Sequence, residues 1–174
     1  MRIALIGMPG SGKSTVGSLL ANLLNIKFYD SDQLIEKNTN LSVAEIFQTK
    51  GENYFRQLEK QTILQILKTN DSFVLAVGGG SIIDSEIANY IKARCFVIWL
   101  KASLNTLYER LSKNDIKRPL LKGDLIMRLN ELYKQRESLY ELLCDVTVES
   151  DLLSVNKTVS RINKILQTRQ IDTK

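Results

Sequence analysis

Short apolar runs at 2–6, 27–29, 73–77, 95–100 and 145–149 alternate with longer stretches whose apolar residues recur every three or four positions. Runs of that length bounded by polar residues read as strands, and the stretches between them read as helices, so the chain predicts an α/β fold on a five-stranded parallel sheet. The runs at 73–77 and 95–100 are almost wholly apolar, as interior strands covered on both faces must be. No Ser/Gly/Pro-rich linker, internal repeat or low-complexity tract interrupts the pattern, which predicts one domain over 1–174.

Val16, Leu19, Leu20, Leu23 and Leu24 predict the apolar face of a first helix packed back on the sheet. Ser42-Val43-Ala44-Glu45 forms a capping box that opens a helix through Phe47, which Gly51 ends. Further helical patterns run over 52–68, through Leu104, Leu107, Tyr108 and Leu111 after Ser103, and through Val155, Val159, Ile162 and Leu166. Between the last two, Leu125, Leu129, Leu132, Arg136, Leu139 and Leu143 are spaced by four and three, which puts Arg136 on an apolar stripe. A guanidinium there needs a carboxylate or phosphate partner, whether Glu59, an Asp or a ligand. Arg56, beside Phe55 and three residues before Glu59, reads on spacing alone as an ordinary surface helix residue.

At 174 residues, with 44% hydrophobic and 25% charged side chains, the chain can bury its own core. The absence of histidine excludes a Ser-His-Asp triad, His-ligated zinc and His-ligated haem. The formal charge of +5 is concentrated in two places. Lys113, Lys117, Arg118 and Lys122 outweigh Asp115 and Asp124, while Lys157, Arg161, Lys164, Arg169 and Lys174 outweigh Asp151 and Asp172. Lys157, Arg161 and Lys164 fall on the polar side of the last helix, and neither basic segment has the interleaved aromatics of a nucleic-acid surface. Cys95 and Cys144 lie in or beside apolar runs far apart in sequence, the pattern of small buried hydrophobes in a reducing compartment. Met1 to Gly7 has too short an apolar run for a signal peptide and no stretch reaches the length of a membrane span, so a soluble, cytoplasmic protein is expected, with a monomer as the default.

Gly7-Met8-Pro9-Gly10-Ser11-Gly12-Lys13-Ser14 matches the phosphate-binding pattern G-x-x-x-x-G-K-[ST], between an apolar strand and an amphipathic helix. Its backbone N–H groups and the helix dipole suit a triphosphate, with Lys13 on the β- and γ-phosphates and Ser14 on Mg²⁺. Asp30-Ser31-Asp32 follows the second strand at the sheet edge where such folds bind ligands; one acid can orient a metal or its water and the other accept a hydroxyl proton. Gly78-Gly79-Gly80 follows the third strand and permits close approach to the main chain. Lys117-Arg118-Pro119-Leu120-Leu121 sits in a polar, basic stretch that suits a mobile lid over the phosphates.

Together with Phe55-Arg56-Gln57-Leu58-Glu59, Arg118-Pro119-Leu120-Leu121 and Arg136-Glu137-Ser138-Leu139-Tyr140, these motifs make the chain resemble the shikimate kinases, from Met1 to about Leu166. The resemblance implies a three-layer α/β/α P-loop kinase fold, substrate-binding helices at about 33–68 and a mobile lid at about 112–124. It implies ATP-dependent phosphorylation of the 3-hydroxyl of shikimate, on the route to chorismate and the aromatic amino acids, with ATP and Mg²⁺. Asp32 is then assigned to the ring hydroxyls and as base, Arg56 and Arg136 to the carboxylate, and Gly78, Gly79 and Gly80 to backbone contacts. Gly10, Ser11, Gly12, Lys13, Ser14, Thr15, Arg110 and Arg118 are assigned to the nucleotide, and Ser14 and Asp30 to the metal. One departure is the absence of Pro after the last strand, through Val148-Glu149-Ser150-Asp151 to Val155, where such kinases often carry one beside the adenine. Another small-molecule kinase such as a gluconate or nucleoside-monophosphate kinase is the nearest rival, and a P-loop nucleotide switch a more distant one that lacks its N-K-x-D sequence here.

Overall fold

Every strand carries its chain to the same edge of one sheet, which is what gathers the glycine loops and acids that are scattered in sequence. The computed structural model describes residues 1–113, 124–151 and 153–172. Lys117, Arg118 and the rest of the expected lid, apart from its ends, lie outside the described residues. The elements run β1 (Arg2–Ile6), α1 (Lys13–Leu24), β2 (Lys27–Asp30), α2 (Ser31–Thr39), α3 (Val43–Thr49) and α4 (Glu52–Lys68). They continue with β3 (Phe73–Ala76), a 3₁₀ turn at Ser81–Ile83, α5 (Ser85–Arg94), β4 (Phe96–Lys101), α6 (Leu104–Ser112), α7 (Leu125–Leu143), β5 (Val146–Glu149) and α8 (Val155–Asp172).

The sheet order is β2-β3-β1-β4-β5, and all four pairings are parallel. Because side chains alternate across a strand, Ile3 and Leu5 of β1 face one layer and Ala4 and Ile6 the other. The first layer holds Val16, Leu20 and Ala21 of α1 and Val159, Ile162 and Leu166 of α8. The second holds Ile63 and Leu67 of α4, Ile87 and Ile91 of α5, Leu107 of α6, and Leu129 and Tyr140 of α7. Ile35, Ile46 and Phe55 form a small separate core joining α2, α3 and α4. The five expected strands are present with ends shifted by a residue, β3 and β4 are interior as their apolar runs require, and the Ser42–Glu45 capping box forms.

Two expectations are corrected. On α1, Leu19 and Leu23 are exposed, and the buried face is Val16, Gly17, Leu20 and Ala21. The helix rolls onto Gly17, where a Cβ would come within 2.6 Å of the Phe28 ring and 3.2 Å of Leu5; the missing side chain, not the leucine pattern, sets the contact. Cys95 is buried and desolvation pushes its thiol up to about 12, but Cys144 is only half-buried at the junction of α7 and β5. Both are free thiols.

Candidate active site

The glycine loop of residues 7–14 leaves β1 and enters α1 through Gly12, whose φ of 93° is left-handed. Side chains of Asp30, Ser42, Asp84, Ser103 and Asp124 cap the helices that follow them, but α1 has neither a side-chain cap nor an acid in its first turn. Its N-terminal amides and dipole are therefore presented at the mouth of the loop. Lys13 Nζ donates to the carbonyls of Gly7 (2.9 Å) and Met8 (3.0 Å), folding the lysine over the loop it serves. Arg110 on α6 donates to the carbonyls of Gly10 (3.3 Å) and Ser150 (2.8 Å), tying the loop to the end of β5.

Asp30 closes β2 and caps α2, Oδ1 accepting from the N–H groups of Asp32 (3.0 Å) and Gln33 (3.2 Å). Its other oxygen accepts the Ser14 hydroxyl at 2.6 Å, so the two residues assigned to Mg²⁺ are in contact. A hydroxyl and a carboxylate are hard oxygen donors, and Mg²⁺ bound with nucleotide phosphates takes only one or two protein ligands. The absence of a three-residue acidic cluster among the described residues is thus compatible with such a site, and the donor set fits.

A cleft of about 640 Å³ opens between α4, the 3₁₀ turn and α7, and Arg56, Glu59, Gly80, Ser81, Leu132 and Arg136 contribute to its walls. The tri-glycine turn separates it from the phosphate loop. A Cβ on Gly80 would sit 2.8 Å from the Arg56 guanidinium, and one on Gly79 would meet Pro9 at 3.2 Å, the Gly7 carbonyl at 3.3 Å and Arg136 at 3.5 Å. On Gly78 it would collide with Glu59 and lie 2.9 Å from Asp32 Oδ1. Asp30, Asp32, Arg56, Arg136 and the two glycine loops are therefore brought together around one turn, while Arg110 sits apart at the far side of the phosphate loop.

The two arginines differ. Arg56 Nη1 donates to Glu59 Oε2 at 2.7 Å and Nη2 to Glu52 at 3.2 Å, and these carboxylates hold its pKa above the ordinary value although burial opposes them. Arg136 is 3% exposed, forms no salt bridge among the described residues, and has no hydrogen-bond partner at Nε. Desolvation lowers its pKa; the Tyr140 oxygen acts in the other direction, and the neighbouring Arg56 charge adds to the lowering. Glu59, one of the partners that sequence offered, makes no salt bridge to Arg136, because its oxygens are taken by Arg56 and, at 2.5 Å, by the Ser81 hydroxyl, although its charge still favours the Arg136 cation.

Four residues that shape this site were not assigned to it from sequence. Glu59 lies with Phe55, Ile63 and Ile66 on the buried face of α4, a carboxylate on an apolar stripe that mirrors Arg136. Tyr140 follows Arg136 by one turn on the same face of α7. Ser31, between the two acids, accepts the Gly78 N–H at 2.9 Å, and Ser81 follows the glycines directly.

A family model described as shikimate kinase matches residues 9–167. A shikimate kinase of Legionella pneumophila (strain Corby) is 45% identical over 166 residues, covering 94% of this chain and 93% of its own length. One from Francisella tularensis subsp. novicida (strain U112) is 41% identical over 165 residues with the same coverage. Among solved structures, the shikimate kinase of Acinetobacter baumannii in complex with shikimate superposes with a TM-score of 0.91 at 31% identity, covering 97% of this chain and 93% of that one. With a family model and relatives that match over nearly its whole length, the chain belongs to the shikimate kinase family.

Proposed function

We propose that the chain transfers the γ-phosphoryl group of ATP to the 3-hydroxyl of shikimate, giving 3-phosphoshikimate and ADP. The observation that carries this reading is Arg136, a buried guanidinium without a carboxylate partner among the described residues, facing Arg56 across a cleft of small-molecule size. Desolvated cations of this kind call for an anion, and a planar carboxylate held by guanidinium forks is strong, directional recognition. A phosphate acceptor is less well matched, because the Arg56 charge is already shared with Glu52 and Glu59.

In this reading Gly10, Ser11, Gly12, Ser14 and Thr15 cradle the nucleotide phosphates, and Lys13 exchanges its loop carbonyls for phosphate oxygens. Arg110 joins the nucleotide site from α6, and Arg118 would reach the phosphates from the lid. Ser14, with Asp30 acting through water, would hold Mg²⁺, which neutralises charge on the phosphates when bound. Arg56 and Arg136 hold the acceptor carboxylate, while the backbone of Gly78, Gly79 and Gly80 and the Asp32 carboxylate orient the ring hydroxyls. The 3-hydroxyl oxygen forms a bond to the γ-phosphorus as the bond to the β,γ-bridging oxygen breaks, and the hydroxyl proton passes to Asp32. A loose transition state asks more of positioning and charge than of the base.

The same reading takes 1–174 as one domain, with substrate-binding helices at 33–68 and a lid at 112–124, working as a cytoplasmic monomer without nucleic-acid or membrane partners. Among the described residues no helix is long and apolar enough to cross a membrane. The test is coupled ADP release with shikimate, quinate, gluconate and AMP offered separately. ADP release stimulated by shikimate above all others is expected; no response above the ATPase background would overturn the reading.

A further inference from the structure

The main-chain hydrogen bonds of the tri-glycine turn can be followed group by group. Its own 3₁₀ bonds use the Gly78 carbonyl, which accepts from the Ser81 N–H at 3.1 Å, and the Gly80 carbonyl, which accepts from the Ile83 N–H at 3.2 Å. Two further groups are taken by side chains from opposite sides of the site. The Gly78 N–H donates to Ser31 Oγ at 2.9 Å, and the Gly79 carbonyl accepts the Tyr140 hydroxyl at 2.7 Å. What the turn can offer a ligand is its Gly79 and Gly80 N–H groups.

Both side chains are rigidly held. Ser31 is fully buried between Asp30 and Asp32 at the start of α2. Tyr140 is 1% exposed, its ring stacks on Trp99 of β4 with centroids 5.6 Å apart and planes 28° apart, and its hydroxyl also lies 4.0 Å from the Met8 sulfur. The peptide bond between Gly79 and Gly80 is trans and planar, so fixing the Gly79 carbonyl fixes the Gly80 N–H, which points the opposite way from the Tyr140 hydroxyl. Glycine has no side chain to hold these planes, and three in a row would otherwise be the least constrained segment of the site.

Resting on the reading of function above, we propose that Ser31 and Tyr140 are positioning residues for the acceptor, suspending the tri-glycine turn from both sides so that its N–H groups are preset for shikimate. Neither needs to touch the substrate. Their effect reaches it through the turn, and in the case of Tyr140 also through Arg136 one helical turn away.

The test uses Ser31→Ala and Tyr140→Phe in the full chain, each removing one oxygen and leaving the packing in place. Without any ligand, amide hydrogen exchange across residues 77–83 should quicken in both variants. With ligand, the KM for shikimate, and its Kd read from the emission of Trp99, the single tryptophan, should rise about five- to tenfold, the worth of one lost hydrogen bond. The KM for ATP should stay within about twofold, and Ser31→Thr should restore the hydroxyl and the affinity. A lowered Tm with unchanged exchange at 77–83, or unchanged shikimate KM in both variants, would mean that the residues are merely structural and would overturn the proposal. Should one variant not fold, the other carries the same readouts. A parent protein inactive towards shikimate would sink the functional reading alone, while the ligand-free exchange would still decide whether the turn is suspended as described.

Discussion

Arg56 and Glu59, three residues apart on α4, form an ion pair at 2.7 Å in which the carboxylate is buried and the guanidinium faces the cleft. The geometry divides the carboxylate's duties: Oε2 holds Arg56, and Oε1 accepts the Ser81 hydroxyl just beyond the tri-glycine turn. Glu59 thus sets the position of the cation proposed to hold the acceptor and of the turn at once. Glu59→Gln keeps the shape and loses the charge. It should destabilise the fold by about 1–3 kcal/mol and raise the KM for shikimate more than that for ATP. Denaturant unfolding and initial-rate kinetics check this, and an unchanged KM would assign Glu59 to stability alone.

Arg136 should behave in the opposite sense, because it forms no salt bridge among the described residues and its Nε has no hydrogen-bond partner. Replacing a desolvated cation that lacks a salt bridge by an apolar side chain of similar length removes a penalty from the free protein. Arg136→Met is therefore expected to fold with equal stability, or to be more stable by about 1 kcal/mol, while shikimate affinity falls about 10- to 100-fold through loss of a charge-assisted fork. Thermal unfolding and isothermal titration measure the two effects. A variant that is both unstable and unaltered in shikimate binding would show that Arg136 is structural.

The contrast between these residues shows what the sequence could and could not reveal. Arg136 was legible because leucines frame it at spacings of three and four, so a buried charge stood out. Glu59 sits in the equivalent position among Phe55, Ile63 and Ile66, yet from sequence it is only one possible partner for Arg136, while Arg56, its actual partner, reads as an ordinary surface residue. The strands, the capping box and the glycine loop follow local rules of pattern and spacing, and they appear where those rules place them. The buried face of α1 does not, because Gly17 sets it through a contact with Phe28 of β2, a tertiary event with no local signal. Ser31 and Tyr140 were hidden for a related reason: what they bind is the main chain of a turn distant in sequence, and a backbone carbonyl leaves no mark on a pattern.

Lys13 bonds two carbonyls of its own loop, so its removal should cost some loop rigidity but not the fold. For Lys13→Met, folded protein with kcat lowered at least about 100-fold is expected, the scale seen when one charge-stabilising donor is lost from a transfer site. Circular dichroism and coupled ADP release with shikimate separate the two. Near-normal kcat would remove Lys13 from phosphate stabilisation.

Asp84 offers a pH-dependent prediction at the rim of the cleft. Its pKa is held below the usual aspartate value by the Lys60 ammonium at 2.9 Å and by the N–H groups of Ile87 and Glu86 that it caps, with partial burial opposing them. A depressed carboxylate contributes stability that is present above its unfolded pKa of about 3.9 and is lost as pH falls through the lower folded value. Asp84→Asn keeps a good cap but not the charge, so at pH 7 it should cost no more than about 1 kcal/mol, as expected for a partly exposed pair. Unfolding curves of the parent and the variant should converge as pH falls through the lowered folded-state pKa of Asp84. A difference that persists there would place the effect in the cap and not in the ion pair.

Asp32 separates binding from transfer most cleanly. It lies on α2 beside Gly78, within 2.9 Å of where a Cβ on that glycine would be, whereas the phosphate loop is served by Lys13 and by the Ser14–Asp30 contact. Asp32→Asn preserves size and leaves the Asp30 cap, to which residue 32 gives its main-chain N–H, as Gln33 does. The variant should fold and bind ATP with unchanged affinity. Asparagine cannot accept the hydroxyl proton as a carboxylate does, so kcat should fall about 100- to 10,000-fold, the range for loss of a general base. Because a loose transition state depends more on alignment than on deprotonation, a loss near the lower end is expected, with a smaller rise in the KM for shikimate. Nucleotide titration and single-turnover phosphoryl transfer provide the measurements. Full transfer by Asp32→Asn would leave the carboxylate no part in the chemistry and would return the task of positioning the hydroxyl to the backbone of the turn.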